Sequence, residues 1–399
     1  MLRRWLIVGI ALVAIISGYL IGAAIRDTGD DKAYIFFRTI LPEAARYEPI
    51  SASKARAYDA DGNLIAYIGF AESTGYGGPM LVGTIVFPSG RLGIPVILEH
   101  NETPSWLVRV LPSLPRYERL SADDPIRLGY DIDAITGATL TVRAISDAVR
   151  ESAHSIAISE LGLVPQRTDD GGWHFGRGEI AVIILFLLSY IVAQVKQLRK
   201  FRLVVLCLGI VILGIRLNRA LSIVQFSSLM LGNFPPPSIN LLFYIVIIGA
   251  LLPILLFGKN LYCSHVCPFC GIQELLHKVT GKNITLGKLM IWFARLRNLL
   301  LFISLMGVMI TANVNIFFYE PFGLAFGLDR NTELYLWVIL FAVLALGFVF
   351  RRFWCFALCP AGAFLDVFRS LVADIRKVVR SRGANSQVET QLSDVQAGE

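Results

Sequence analysis

A polar α+β domain standing outside a membrane, joined to an α-helical transmembrane bundle, is the architecture this sequence predicts. Three observations predict it. Of 399 residues, 55% are hydrophobic and only 17% charged, with a mean hydropathy of +0.61; that is too apolar for an ordinary globular chain of this length. The apolar residues gather into runs close to the ~20 residues that cross a bilayer core. One long polar segment, 27–177, separates the first run from the rest.

The first run, MLRRWLIVGIALVAIISGYLIGAAIR, has a basic start followed by an apolar stretch without a clean small-x-small cleavage site. It reads as a membrane anchor over 1–26, a secretory signal peptide being the alternative. Five further runs lie near 179–195, 203–222, 239–257, 298–317 and 334–350, giving a five-helix membrane domain over 178–370 and a cytoplasmic tail over 371–399. Arg216 and Arg219 interrupt the run at 203–222. The basic flanks KQLRKFR, ARLR, RRF and RKVVRSR all fall on one side of this arrangement. By the positive-inside rule both termini are then cytoplasmic and 27–177 extracytoplasmic, as in a multi-pass protein of a bacterial inner membrane. The net charge of +7 is concentrated in these flanks. No basic stripe interleaved with aromatics is present, which excludes nucleic acid as a partner. The tail after Gly383 is polar and lacks aromatics, so it is expected to be disordered.

Within the outer segment, 50–120 reads as β structure, with turns at Asp61-Gly62 and Ser89-Gly90. After Thr136 the pattern changes to helical spacing in TVRAISDAVRESAHSIA. The stretch DAITGATLT, Asp133 to Thr141, therefore sits at a helix start, where free N–H groups and the positive dipole end suit a phosphate. A plain helix cap is the alternative. Three glycines come together in GYGGPM, where the backbone can approach a ligand or another strand.

The six cysteines avoid the outer segment, which excludes a disulfide-stapled exported domain. Five form two groups, CSHVCPFCG (Cys263, Cys267, Cys270) and WCFALCPAGAF (Cys355, Cys359). Both contain Cys-x-x-x-Cys-Pro and both follow a run ending on the cytoplasmic side. Cysteines four apart share a helical face. Two such pairs side by side supply four sulfur ligands, enough for an iron–sulfur cluster or a tetrahedral zinc; buried, unliganded thiols are the remaining alternative. Cys207, alone in its run, reads as a packing residue, and His265 as a border residue that could act as a fifth ligand.

DAITGAT resembles the flavinylation motif Asp-x-x-Ser/Thr-Gly-Ala-Thr of the FMN-binding domain family, members of which occur in the sodium-pumping NADH:quinone oxidoreductase and the Rnf complex. GYGGPM and HNETP resemble that family's Gly-rich and Glu-Thr-Pro segments, in the same order. The resemblance implies FMN joined through its phosphate to Thr139 by a flavin transferase, with Asp133, Thr136, Gly137 and Ala138 forming the motif around it. It places Gly77, Gly78, Glu102 and Thr103 near the isoalloxazine ring, and leaves His100 a structural role. Joined to the cysteine motifs, this domain resembles the NosR/NirI-type membrane flavoproteins, without the C-terminal ferredoxin domain usual there, and with Cys270 preceding Gly271 where Cys-Pro-x-Gly is usual. A cytoplasmic-side iron–sulfur centre, of 4Fe-4S type, is then expected on Cys263, Cys267, Cys355 and Cys359, with Cys270 nearby.

The expected function is membrane electron transfer. Electrons from a quinol or a cytoplasmic ferredoxin-like donor would reach extracytoplasmic FMN and supply an exported reductase or its maturation factors. The other reading is a non-enzymatic accessory protein that senses redox state or assists maturation of an exported metalloenzyme. No histidine falls within a run, which disfavours a bis-histidine haem, and apart from Glu179 at the edge of one run no carboxylate lines them, which disfavours a proton path. The two centres are expected on opposite sides of a ~30 Å core, so a further carrier is expected between them: quinone, a second flavin or a partner subunit.

Overall fold

The computed structural model describes residues 2–26, 32–75, 77–102, 104–135, 138–166, 175–238, 240–281, 287–314, 316, 319–327 and 334–396. The chain begins with helix α1 (Leu2–Arg26) and the short α2 (Lys32–Ile40). Five strands follow: β1 (Arg46–Ser51), β2 (Lys54–Tyr58), β3 (Leu64–Thr74), β4 (Pro79–Val86) and β5 (Val96–His100). They form one antiparallel sheet in sequence order. The turns at Gly62 (φ +81°) and Gly90 (φ +84°) fall where the sequence places them.

Side chains alternate across a strand, and here both faces are covered. Tyr67, Met80 and Val82 face α4 (Thr139–Ile156), meeting Val142, Ile145 and Val149. Ile68, Ala66 and Ile85 face the other way, onto Phe37 and Ile40 of α2. Helix α2 comes close because Gly83 stands opposite it; a Cβ there would lie 2.4 Å from Ile40 Cγ1.

The β reading of 50–120 fails after His100. Residues 104–119 are helical, as α3 (Pro104–Val110) and a 3₁₀ stretch (Leu111–Arg119). Pro112 and Pro115 lack the N–H a ladder needs. Tyr117 is buried from this stretch against α4, where its hydroxyl pairs with Ser146 at 2.7 Å, and burial raises its pKa.

The second half is helical: α5 (Arg177–Gln194), α6 (Arg202–Gly209), α7 (Ile223–Met230), α8 (Leu241–Phe257), α9 (Pro268–Thr280), α10 (Lys288–Thr311), α11 (Phe322–Gly327), α12 (Leu334–Val349), α13 (Phe353–Ala357) and α14 (Pro360–Gln396). Among the described residues, segments of α1, α5 and α10 are long and apolar enough to cross a membrane, and α8 and α12 are shorter apolar helices. The run at 203–222 is not one span. Helix α6 passes into a wider turn over Ile210–Arg216, and the chain then breaks at Asn218 (φ +46°). It restarts at Ser222, whose side chain and that of Gln225 form a capping box for α7. Polar Arg216, Asn218 and Arg219 mark the break. The tail also departs from expectation: α14 continues as helix through Gln396. Past Gly383 the sequence has no proline and several good helix formers, so a helix begun in the packed part can propagate.

Candidate functional site

The first candidate site lies around the start of α4. Ala138 occupies the cap position and offers no side-chain hydrogen bond, so no side chain caps the first turn. Thr139 opens the helix, half-buried, its hydroxyl donating to the Ile135 carbonyl at 3.2 Å. Thr141 is buried and donates to Glu102 Oε2 at 2.9 Å. The other oxygen, Glu102 Oε1, accepts the Gly77 N–H at 3.2 Å. Glu102 is 1% exposed, so it works as a clasp joining the Gly-rich hairpin of β3 and β4 to α4. Gly77 is obligatory at this clasp: a Cβ there would lie 1.7 Å from the Asn101 carbonyl oxygen. Gly78 has φ +133° and stands beside Asn101 and Asn233.

The structure thus brings Thr139, Ala138, Gly77, Gly78 and Glu102 into one neighbourhood. Asp133 stands apart from the clasp; its exposed side chain pairs with Arg116 at 2.9 Å. Thr103, Thr136 and Gly137 lie outside the described residues. The phosphoester expected on Thr139 requires a hydroxyl that can be reached, and of the two threonines in α4's first turn only Thr139 is not sealed against a carboxylate.

The second candidate site gathers all five clustered cysteines. Cys263 lies in a single wide turn (Tyr262–Val266) and Cys267 is the cap of α9, with Pro268 at its first position. Cys355 lies in α13 and Cys359 directly precedes Pro360 of α14. This accounts for the Cys-Pro pairing: proline is preorganised for the first helical position, and the preceding thiol sits where N–H groups and the helix dipole favour a thiolate. The Gly362 N–H donates to Cys359 Sγ at 3.2 Å, and the N–H groups of Cys270 and Phe269 reach Cys267.

The thiols influence one another directly. Cys270 and Cys355 are hydrogen-bonded, which lowers the first and raises the second. Burial, with Cys270 nearby, pushes Cys263 up to about 12. Cys359 is raised by burial and by the charges of Glu320, Cys263 and Cys267. Cys267, Cys270 and Cys359 are buried and Cys263 and Cys355 half-buried; all but Cys270 resist ionisation alone, and as thiolates the group suits a multiply charged metal centre. Among the described residues no three Cys, His, Asp or Glu side chains converge on the position of a single ion. Four thiolates from two turns are the donor set of an iron–sulfur cluster or of a tetrahedral zinc. The sequence leaves the place of Cys270 open; the fold puts it in this cage, fully buried.

Below the cage, at the end of the helices away from the sheet, Glu274 receives Arg202, Arg351 (2.8 Å) and Arg352 (2.7 Å). Burial alone would raise its pKa, but the three guanidiniums outweigh it and bring the carboxyl down to about 2. His265 is held by Ser264 Oγ at 2.7 Å. Burial and the nearby Arg202 lower it to about 4. It lines a cavity of about 490 Å³ together with Arg199, Arg202, Lys259, Asn260 and Ser264.

One buried carboxylate beside the cage escapes the sequence reading. The sequence alone puts Glu320 in an outer loop, yet it is 1% exposed. It accepts hydrogen bonds from Ser222 Oγ and the Ile223 N–H, and from the Ala361 N–H beside the cage. Tyr319 Oη likewise donates to the Leu358 carbonyl at 2.8 Å. A glutamate flanked by Tyr319 and Pro321 inside an apolar stretch is the available clue.

The two sites define a class: a flavoprotein with an FMN-binding domain joined to an iron–sulfur membrane-type domain. Residues 75–154 match the family described as FMN-binding domain. Residues 239–287 and 333–378 match the family described as 4Fe-4S binding domain. The chain is similar to NirI of Paracoccus denitrificans, 27% identical over 301 residues, 64% of this chain and 43% of that protein. It is similar to one component of an ion-translocating oxidoreductase complex of Methanosarcina acetivorans, 27% identical over 142 residues, 31% of this chain and 74% of that component. It is also similar to the regulatory protein NosR of Pseudomonas aeruginosa, 29% identical over 103 residues, 23% of this chain and 14% of that protein. The match thus spans under half of NirI. The chain thus carries an FMN-binding domain and a 4Fe-4S binding domain, and is similar over parts of its length to NirI, to NosR and to the oxidoreductase-complex component.

Proposed function

We propose that this protein transfers electrons between an iron–sulfur centre held by Cys263, Cys267, Cys355 and Cys359, with Cys270 beside it, and FMN attached to Thr139. In this reading the cysteines lie toward the cytoplasm and the FMN domain is extracytoplasmic in a bacterial inner membrane. A quinol or ferredoxin-like donor reduces the protein, and an exported reductase or its maturation factors are supplied by it. A flavin exchanges one or two electrons, and so links one-electron metal chemistry to two-electron reductases. The chain's own part is to fix the thiols, position the phosphate at the start of α4 and hold the Gly-rich loop in place through Glu102.

The observation that carries the proposal is the convergence of four thiols from two Cys-x-x-x-Cys-Pro turns, with Cys270 of α9 beside them, in a chain that also bears the flavinylation motif. It is tested on the purified protein co-expressed with a flavin transferase. The denatured band is expected to fluoresce under blue light; Thr139→Ala abolishes the signal and Thr141→Ala retains it. Cys355→Ser is expected to remove most bound iron. Zinc in place of iron, or fluorescence that survives Thr139→Ala, overturns the respective half. The similarity to NosR, a regulatory protein, favours a second reading, a redox-sensing or maturation accessory; full reductase supply after Cys359→Ser would favour it for the cysteines.

A further inference from the structure

The sequence places the two centres a full hydrocarbon core apart; the fold joins the two halves by direct contacts. From the sheet side, two segments dip into the helical half. Ala312 accepts from Asn101 Nδ2 at 3.4 Å, and Gly327 accepts from Arg109 at 3.0 Å, so both ends of the 312–327 segment touch the FMN-binding domain. Between them, Glu320 reaches Ala361, two residues past Cys359. The second segment is α7. At one end Ser228 Oγ donates to the Gly77 carbonyl at 3.3 Å. At the other, Ser222 Oγ and the Ile223 N–H bind Glu320. Midway, Phe226 stacks on Phe364 of α14 with centroids 4.2 Å apart. From the opposite side the cage is raised off the arginine layer: Cys270 stands one turn along α9 from Glu274, ~6 Å at the α-helical rise.

Resting on the function proposed above, the geometry points to α7 and Glu320 as a positioning strap that holds the flavin loop and the cysteine cage within one electron hop, with no diffusible carrier between them. The strap is ~9 Å of helix from Ser222 to Ser228 with one hydrogen-bonded contact at each end, a span on the order of 20 Å in place of a core of ~30 Å with a centre beyond each face. Every link is a packed or hydrogen-bonded protein contact. In each hop the iron centre gives up one electron and the flavin gains one. Two hops, with protons taken up on the flavin side, complete a two-electron reduction, and a reduced ferredoxin-like or quinol donor replaces the electrons.

The test is a distance, read by pulsed electron paramagnetic resonance. A reduction-resistant trityl label is attached at Asn233→Cys, beside Gly78, in a Cys207→Ser background, and bound iron and in-gel flavin fluorescence are measured first. Dithionite reduction of the iron centre is expected to speed the label's spin relaxation several-fold over the oxidised sample. A label at Tyr130→Cys, exposed on the domain surface, serves as a second position for comparison. Glu320→Ala, with iron retained, is expected to reduce the enhancement at residue 233, and Glu320→Gln, which still accepts hydrogen bonds, to restore it. No enhancement at residue 233 in iron-loaded protein overturns the strap while leaving the electron-transfer reading intact. Unchanged enhancement in Glu320→Ala removes Glu320 from the strap. Protein without iron overturns the electron-transfer reading, and the strap with it.

Discussion

Glu102 shows how one side chain can decide a binding loop. Its two carboxylate oxygens are divided between a backbone N–H of the Gly-rich hairpin and a hydroxyl of α4, with almost no solvent contact. Removing the carboxylate leaves two buried donors unpaired, each costing about 1–3 kcal/mol. Glu102→Ala is therefore expected to lower the thermal midpoint of the purified protein, followed by flavin fluorescence, and to reduce flavin loading; unchanged loading and midpoint would refute the clasp. The sequence marks Glu102 as a ring contact on resemblance alone. Its clasp role is not legible there, because nothing in HNETP says which neighbour the carboxylate meets 39 residues later. The helix start at Thr139 is legible, since a small-residue turn before a helical pattern needs no tertiary information; its choice over Thr136 and Thr141 as the attachment point rests on the resemblance.

At the scale of single elements, the two helices that begin with Cys-Pro carry the cage, and their chemistry is readable: cap, proline and thiol spacing are local. What holds them in place is not. Glu274 on α9 collects guanidiniums from α6 and from the turn between α12 and α13, contacts that only the assembled helices create. Glu274→Gln would leave three cations around an uncharged group, a loss of ~3–5 kcal/mol by analogy with broken buried pairs. The pH dependence has a defined sign. The folded carboxyl titrates near 2, below its ordinary value of 4.5, so its stabilisation is complete above about 4.5 and disappears as pH falls from there through 2. Thermal midpoints measured from pH 7 to pH 3 are expected to fall below pH 4.5 in the parent and to fall less in Glu274→Gln. Equal slopes would mean that the arginine layer does not depend on this charge. The broken run at 203–222 belongs to the same scale. Hydropathy averages over Arg216, Asn218 and Arg219, whereas the backbone stops at them because polar groups there end the helix and Ser222 caps a new one.

For the whole molecule, the α+β and helical halves, their order and the position of both cofactor motifs are legible, because composition and periodicity are summed over many residues. The way the halves meet is not, because it depends on a few contacts: Ser228 with Gly77, Asn101 with Ala312, and Arg109 with Gly327. Arg109→Ala removes the guanidinium from the Gly327 carbonyl and is expected to loosen that seat. In limited proteolysis the variant should be cut faster than the parent in the stretch between Gln166 and Gly176, releasing a fluorescent fragment. An unchanged cutting rate would show that Arg109 does not hold the domain down.

The arrangement of the cage has a further consequence. Helices α7, α8 and α9, with the cysteine turn before α9, follow the same plan as α11, α12, α13 and α14: a short helix, an apolar helix of 16 or 17 residues, a turn bearing one thiol, and a helix capped by another. Cys263 and Cys267 precede Cys355 and Cys359 by the same 92 residues. Under the ligation proposed above, the chain would be a tethered dimer of half-sites, with the metal position on the seam. Neither half alone can complete a four-thiolate shell, so the proposed metal group would also act as the rivet between duplicates. The duplication is broken at one place: the counterpart of Cys270 is Gly362, whose N–H faces Cys359 Sγ. One copy offers a fifth sulfur where the other offers a backbone donor, giving an otherwise two-fold centre a front and a back.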